Sequence, residues 1–175
     1  MIRPAIPAEE IAVSQALLII DPQNDYFPGG AFPLWNAEAC LANLERAATE
    51  ARAQGRPVIL VQHVASPGPG PFFNEGSLGV QLHPRILAAA PGAPVVVKHY
   101  ADAFHQTDLL ATLDRLGVTG LTVAGMMTQN CVTHTLLSRA ADTYELAVWA
   151  DGCTTVSEIL HRIAIHALST RVKVL

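Results

Sequence analysis

Four apolar residues in a row, Leu17-Leu18-Ile19-Ile20, end abruptly on an acid, Asp21. A run so short and so uniformly apolar suits a strand buried on both faces, and Val95-Val96-Val97 repeats the pattern before Lys98. Strands are expected at Ala16–Ile20, Pro57–Gln62, Pro94–Val97, Gly120–Ala124, Tyr144–Ala150 and Arg171–Leu175. Segments of helical period separate them, at Ala37–Gln54, Thr107–Leu116, Thr128–Ala141 and Val156–Ser169. The first of these carries apolar or small residues at Ala37, Leu41, Leu44, Ala48 and Ala51, and Gly55 and Pro57 stop it. Strands alternating with helices predict an α/β protein: a Rossmann-like three-layer α/β/α sandwich with right-handed crossovers and a mainly parallel sheet of about six strands.

With 175 residues, half of them hydrophobic, the chain is sized for one domain over 1–175, of which 1–14 reads as an N-terminal extension. Only 15 % of residues are charged, the net charge is −4, and no basic stripe is available for nucleic acid. Cys40, Cys131 and Cys153 are odd in number and widely spaced, which argues against a disulfide framework or a structural zinc site and for a reducing, cytoplasmic setting. Pro4, Pro7, Glu9 and Glu10 interrupt any signal-like apolar stretch, and no later run is long enough to span a bilayer, so no membrane partner is expected.

The stretch from Ala65 to Leu82 breaks the rhythm with Pro67, Gly68, Pro69, Gly70, Pro71, Phe72 and Phe73. Phe72 and Phe73 suit a substrate-covering loop better than a solvent-facing linker. Trp35 together with these two rings also suggests self-association, as a homodimer or larger.

In an open parallel sheet the ligand crevice lies beyond the carboxyl ends of the strands. Asp21 and Lys98 directly follow apolar strands, and Cys131 comes a few residues after Gly120–Ala124, in the first turn of the next helix. Taken singly, these residues read as a turn acid, a surface cation and a small buried hydrophobe. Converging on one sheet edge, they form an acid, a cation and a thiol suited to nucleophilic chemistry. A helix N-terminus and a neighbouring ammonium favour the thiolate of Cys131, Asp21 can serve as general base, and Lys98 can orient it. Backbone N–H groups of Met127 and Cys131 are placed to form an oxyanion hole. Phe27, His63 and His105 are candidate substrate-binding residues, with a structural role for His63 equally open. Cys40, Cys153, His134, His161 and His166 lack such company, and Asp151 reads as an anchor for the last loop.

The stretches Ala16–Tyr26 (A-L-L-I-I-D-P-Q-N-D-Y) and Ala124–Val132 (A-G-M-M-T-Q-N-C-V) resemble the isochorismatase-like cysteine hydrolases, a family that includes nicotinamidases, N-carbamoylsarcosine amidohydrolase and isochorismatase. The similarity runs from about Ala16 to the C-terminus, with further matches at Val97-Lys98, Ala103-Phe104 and Ala150-Asp151. The resemblance implies that Asp21, Lys98 and Cys131 form a catalytic triad and that Met126-Met127 is a non-proline cis peptide. Nicotinamidases begin a metal site with D-x-H after the second strand, whereas Val61-Gln62-His63 stands here, so no metal and no organic cofactor is expected.

The function implied is hydrolysis of a C–N bond in a small amide, carbamoyl or ureido molecule through an acyl-thioenzyme. Two alternatives stay open: isochorismatase-type hydrolysis of a vinyl ether, and a non-catalytic binding member of the same fold.

Overall fold

The computed structural model describes residues 14–66 and 68–175. The predicted extension lies outside them, except for Ser14. Six strands form one all-parallel sheet: β1 (Gln15–Ile20), β2 (Val58–His63), β3 (Val95–Lys98), β4 (Gly120–Met126), β5 (Glu145–Thr154) and β6 (Lys173–Val174), in the order β3-β2-β1-β4-β5-β6. The helices are α1 (Ala37–Ala53), α2 (Pro84–Ala89), α3 (Leu109–Arg115), α4 (Thr133–Leu136) and α5 (Glu158–Leu168). The expected α/β sandwich is therefore the fold, and the strand order reverses at β1, between β2 and β4, where such sheets open a crevice.

β1 and β2 supply the centre of the core: Leu18, Ile19, Ile20, Ile59 and Val61 are inaccessible to solvent, and α1 covers them with Leu41, Leu44, Ala48 and Ala51. The expectation of two-sided burial fails for β3, where Val95 and Val97 are 41 % and 44 % exposed. Among the described residues β3 is an edge strand, paired only with β2, and no helix covers those side chains. A short apolar run encodes a strand, not its place in the sheet.

One other expectation changes, and two features add to the reading. The predicted helix over Thr128–Ala141 is a π-helical turn at Thr128–Val132, then α4, then a separate 3₁₀ turn at Arg139–Ala141. The short α2, opened by Pro84 and capped by His83 accepting from the Arg85 N–H, was not foreseen. The Pro/Gly-rich segment is a strapped, packed loop: Phe73 is 1 % exposed and meets the Tyr26 ring edge-on at 4.6 Å. Phe72 also packs on the core, so of the trio invoked for self-association only Trp35, 37 % exposed, offers much surface. No helix among the described residues is long and apolar enough to cross a membrane.

Candidate active site

The site is assembled at the carboxyl ends of β1, β3 and β4. Asp21 follows β1 with φ of 50°, in the left-handed region that Asp tolerates better than branched residues do. Lys98 closes β3 directly opposite His63, its register partner on β2. At the end of β4, Gly125 has φ of 119°, and a Cβ there would lie 2.1 Å from the Ile20 carbonyl oxygen. Glycine thus lets β4 approach β1 closely just before the Met126-Met127 bond, which is cis, as the resemblance implied. The π turn that follows carries Cys131.

These elements bring all three expected groups together. The Lys98 ammonium lies 2.9 Å from Asp21 Oδ2 and donates to Cys131 Sγ at 3.2 Å, to His63 Nδ1 at 3.0 Å and to the Tyr100 carbonyl at 3.1 Å. Four acceptors thus surround three N–H donors. Asp21 and Lys98 are fully buried, and Cys131 is 3 % exposed. Asp21 Oδ1 is buried without a hydrogen-bond partner, which leaves one carboxylate oxygen available to take a proton.

Burial opposes the charge on Lys98, but Asp21 and then Cys131 outweigh it and hold the ammonium above its ordinary range. For Cys131 burial wins. Together with the negative charge of Asp21 it pushes the thiol up to about 12 against the opposing pull of Lys98. This corrects the expectation of a resting thiolate: a helix start and an ammonium do not compensate for removing the sulfur from water beside a carboxylate. Burial thus favours the neutral thiol at Cys131.

His63 is pushed toward its neutral form, first by burial and then by Lys98. An ammonium has no lone pair, so the Nδ1 facing it is the acceptor and Nε2 carries the proton. His63 therefore touches the cluster. His105 stands one residue further out, exposed, with its ring against Tyr100 at 4.6 Å. Phe27 is buried, and its ring packs on His83 at 4.6 Å. Met127 is 8 % exposed at the mouth of the π turn. Cys40 and Cys153 are buried elsewhere, Cys40 donating to the Gly152 carbonyl.

Sequence reasoning missed the supports. Gln23 is fully buried; its amide donates to the His63 carbonyl at 2.8 Å and the Val80 carbonyl at 2.7 Å, while its oxygen accepts from the His63 N–H at 2.8 Å. Asp25 accepts from Ala31 and Phe73 N–H groups, and a Cβ on Gly79 would strike its carboxylate. Tyr26 is buried near the cluster, and its phenol is held protonated first by burial and then by Asp21. Gln23, Asp25 and Tyr26 all lie in the stretch Ala16–Tyr26, and a buried amide between two loops is a signal that spacing does not carry.

Asp21, His63 and Cys131 present ligand atoms within 4.8 Å of one another, a donor set with the right chemistry for a metal ion. It does not fit one here, because the Lys98 ammonium lies within hydrogen-bond distance of all three, and Val61 stands where an acid would be needed.

The chain and its fold are similar to known proteins. The sequence profile of the isochorismatase domain matches residues 15–175. The isochorismatase family protein YddQ of Bacillus subtilis is 36 % identical over 145 residues, 83 % of this chain and 80 % of that one. The ureidoacrylate amidohydrolase RutB of Methylobacterium radiotolerans is 30 % identical over 206 aligned positions, covering 97 % and 80 %. A crystal structure of an isochorismatase hydrolase from Oleispira antarctica superposes with a TM-score of 0.84 at 36 % identity, covering 93 % of each chain. Continuous similarity from β1 to the last residue, in sequence and in strand order alike, places this chain in the isochorismatase family of hydrolases.

Proposed function

We propose that this hydrolase cleaves the C–N bond of a small amide, carbamoyl or ureido molecule through a thioester on Cys131. The observation that carries the reading is the position of Cys131 Sγ, 3.2 Å from an ammonium that is itself paired with Asp21, whose second oxygen is free. The neutral thiol attacks the carbonyl carbon as Asp21 takes its proton, and N–H groups of Met127 and Cys131 receive the developing oxyanion. Asp21 passes that proton to the leaving nitrogen, the C–N bond breaks, and ammonia or an amine departs. Water then attacks the thioester while Asp21 takes its proton; the acid is released, and the proton returns to sulfur. Lys98 holds the Asp21 carboxylate in place at 2.9 Å. His63 directs its Nε2–H toward the substrate. Phe27 and His105 act at one remove, through the His83 and Tyr100 side chains they pack on.

The amidohydrolase named among the relatives supports the C–N reading over vinyl-ether cleavage, and so does the chemistry. Protonating an enol ether needs an un-ionised acid, which the Lys98 ammonium opposes, and gives a thiol nothing to do. The buried sulfur and the intact partner set also speak against a merely binding protein.

A panel of small amides and ureido compounds, followed by ammonia or amine release and by intact mass, tests the proposal. A transient acyl adduct on Cys131 and loss of turnover in Cys131→Ala are expected. Efficient turnover of isochorismate that survives Cys131→Ser would replace this reading with the enol-ether one.

A further inference from the structure

Because all six strands are parallel, every strand-to-helix loop opens on the edge that carries Asp21, Lys98 and Cys131. These loops span 21–36, 64–83, 99–108, 127–132 and 155–157. None of them contains a lysine or an arginine. Lys98, at the very end of β3, has its donors used up by Asp21, His63, Cys131 and the Tyr100 carbonyl, and Arg162 on α5, which lines a surface hollow with Trp35, is paired with Glu158 at 3.7 Å. Arg85, in the first turn of α2 just past the second loop, is held by Glu38 at 3.1 Å and by Glu45 in a two-pronged pair.

The same loops carry acids. Asp21 balances Lys98, which leaves Asp25, Glu75, Asp102 and Asp108 without a basic residue among their loop neighbours. His63 and His83 are both pushed toward the neutral form, chiefly by burial. The crevice loops therefore carry acids without a lysine or arginine, His99 and His105 being their other histidines, and behind the cluster the buried rings of Tyr26 and Phe73 pack with Phe72, Phe73 reaching the His63 ring at 6.0 Å.

A carboxylate brought into such a crevice loses its water and gains no cation in exchange, and it meets other carboxylates. A neutral group meets no such penalty, and an ammonium finds acids. We propose, on the C–N hydrolase reading above, that the substrate is an amide or ureide bearing no anionic group, uncharged or cationic; ureido acids and carboxy-amides are excluded by charge. The same edge disfavours isochorismate, a dicarboxylate, independently of the thiol argument.

The test compares two thiol reagents of nearly equal size, neutral iodoacetamide and anionic iodoacetate, on the intact protein, with adducts at Cys131 read by peptide mass. Each rate is normalised to that of a small uncharged thiol. Iodoacetate is expected to be disfavoured by about tenfold or more, the scale of a unit charge repelled across a few ångströms at the effective dielectric of a protein edge. Tyr100→Arg, at an exposed position next to the Lys98 turn, is expected to restore much of the iodoacetate rate. Equal or faster labelling by iodoacetate in the unmodified protein would overturn the proposal.

A second arm measures ammonia release from benzamide, 4-(aminomethyl)benzamide and 4-carboxybenzamide. Preference for the carboxylate overturns the charge rule even if labelling agrees with it. Failure of every amide, alongside the expected labelling ratio, would instead remove the C–N reading and leave the charge rule standing.

Discussion

The carboxylate of Asp21 and the ammonium of Lys98 meet at 2.9 Å with neither side chain accessible to solvent. Burial alone would neutralise the ammonium, and the carboxylate beside it opposes that. Cys131 completes the cluster with its thiol pushed up by burial and by Asp21.

Replacing Asp21 separates these two effects. In Asp21→Asn the carboxylate that raises the thiol is gone and Lys98 still faces the sulfur, so the titration of Cys131, read from the pH dependence of iodoacetamide labelling, is expected to move to lower pH. Turnover is expected to fall by about 10²–10⁴-fold, because the proton acceptor is lost. Labelling and turnover would thus move in opposite directions; if both stayed at their original values, Asp21 would not be the base.

His63 ties stability to pH. Its folded-state pKa lies below the ordinary value of 6.5, through burial and the ammonium 3.0 Å away. The unfolded chain therefore binds more protons between the two values, so stability is full above about pH 6.5 and is lost as pH falls toward the folded value. His83 and His161 are shifted the same way and add to the slope. Urea midpoints measured across that window should fall on acidification, less steeply in His63→Gln. An identical slope in the variant would show that His63 is not the source.

Metal removal should change nothing in the rate, since the Lys98 ammonium already sits among the three potential ligands. Dialysis against a strong chelator, with elemental analysis of the protein before and after, checks this. A stoichiometric ion whose loss abolishes turnover would show that Lys98 moves aside.

Phe73→Ala is expected to cost about 3–5 kcal/mol of stability, as for other fully buried aromatics, because the ring fills a site between Tyr26, Phe72 and His63. A lid residue would instead change KM with little effect on the urea midpoint, and that pattern would return Phe73 to the role its sequence context suggested.

The abrupt change from an apolar run to a single polar residue is a local signal, and it marked Asp21 and Lys98 correctly as strand-end groups. The order of strands and helices was legible for the same reason: periodicity is written into neighbouring residues. The motif around Cys131 placed the thiol just past β4. Sequence could not say that β3 lies at the sheet edge, since an apolar tripeptide looks the same with one face covered or two. Nor could it foresee the broken helix after Met127 or the burial of Phe73, each of which depends on contacts with distant segments. The protonation of Cys131 belongs to that second group. Flanking residues suggested a thiolate, but the balance between desolvation, Asp21 and Lys98 is a sum over three strands that meet only in the folded sheet, and in that sum burial is the largest contribution.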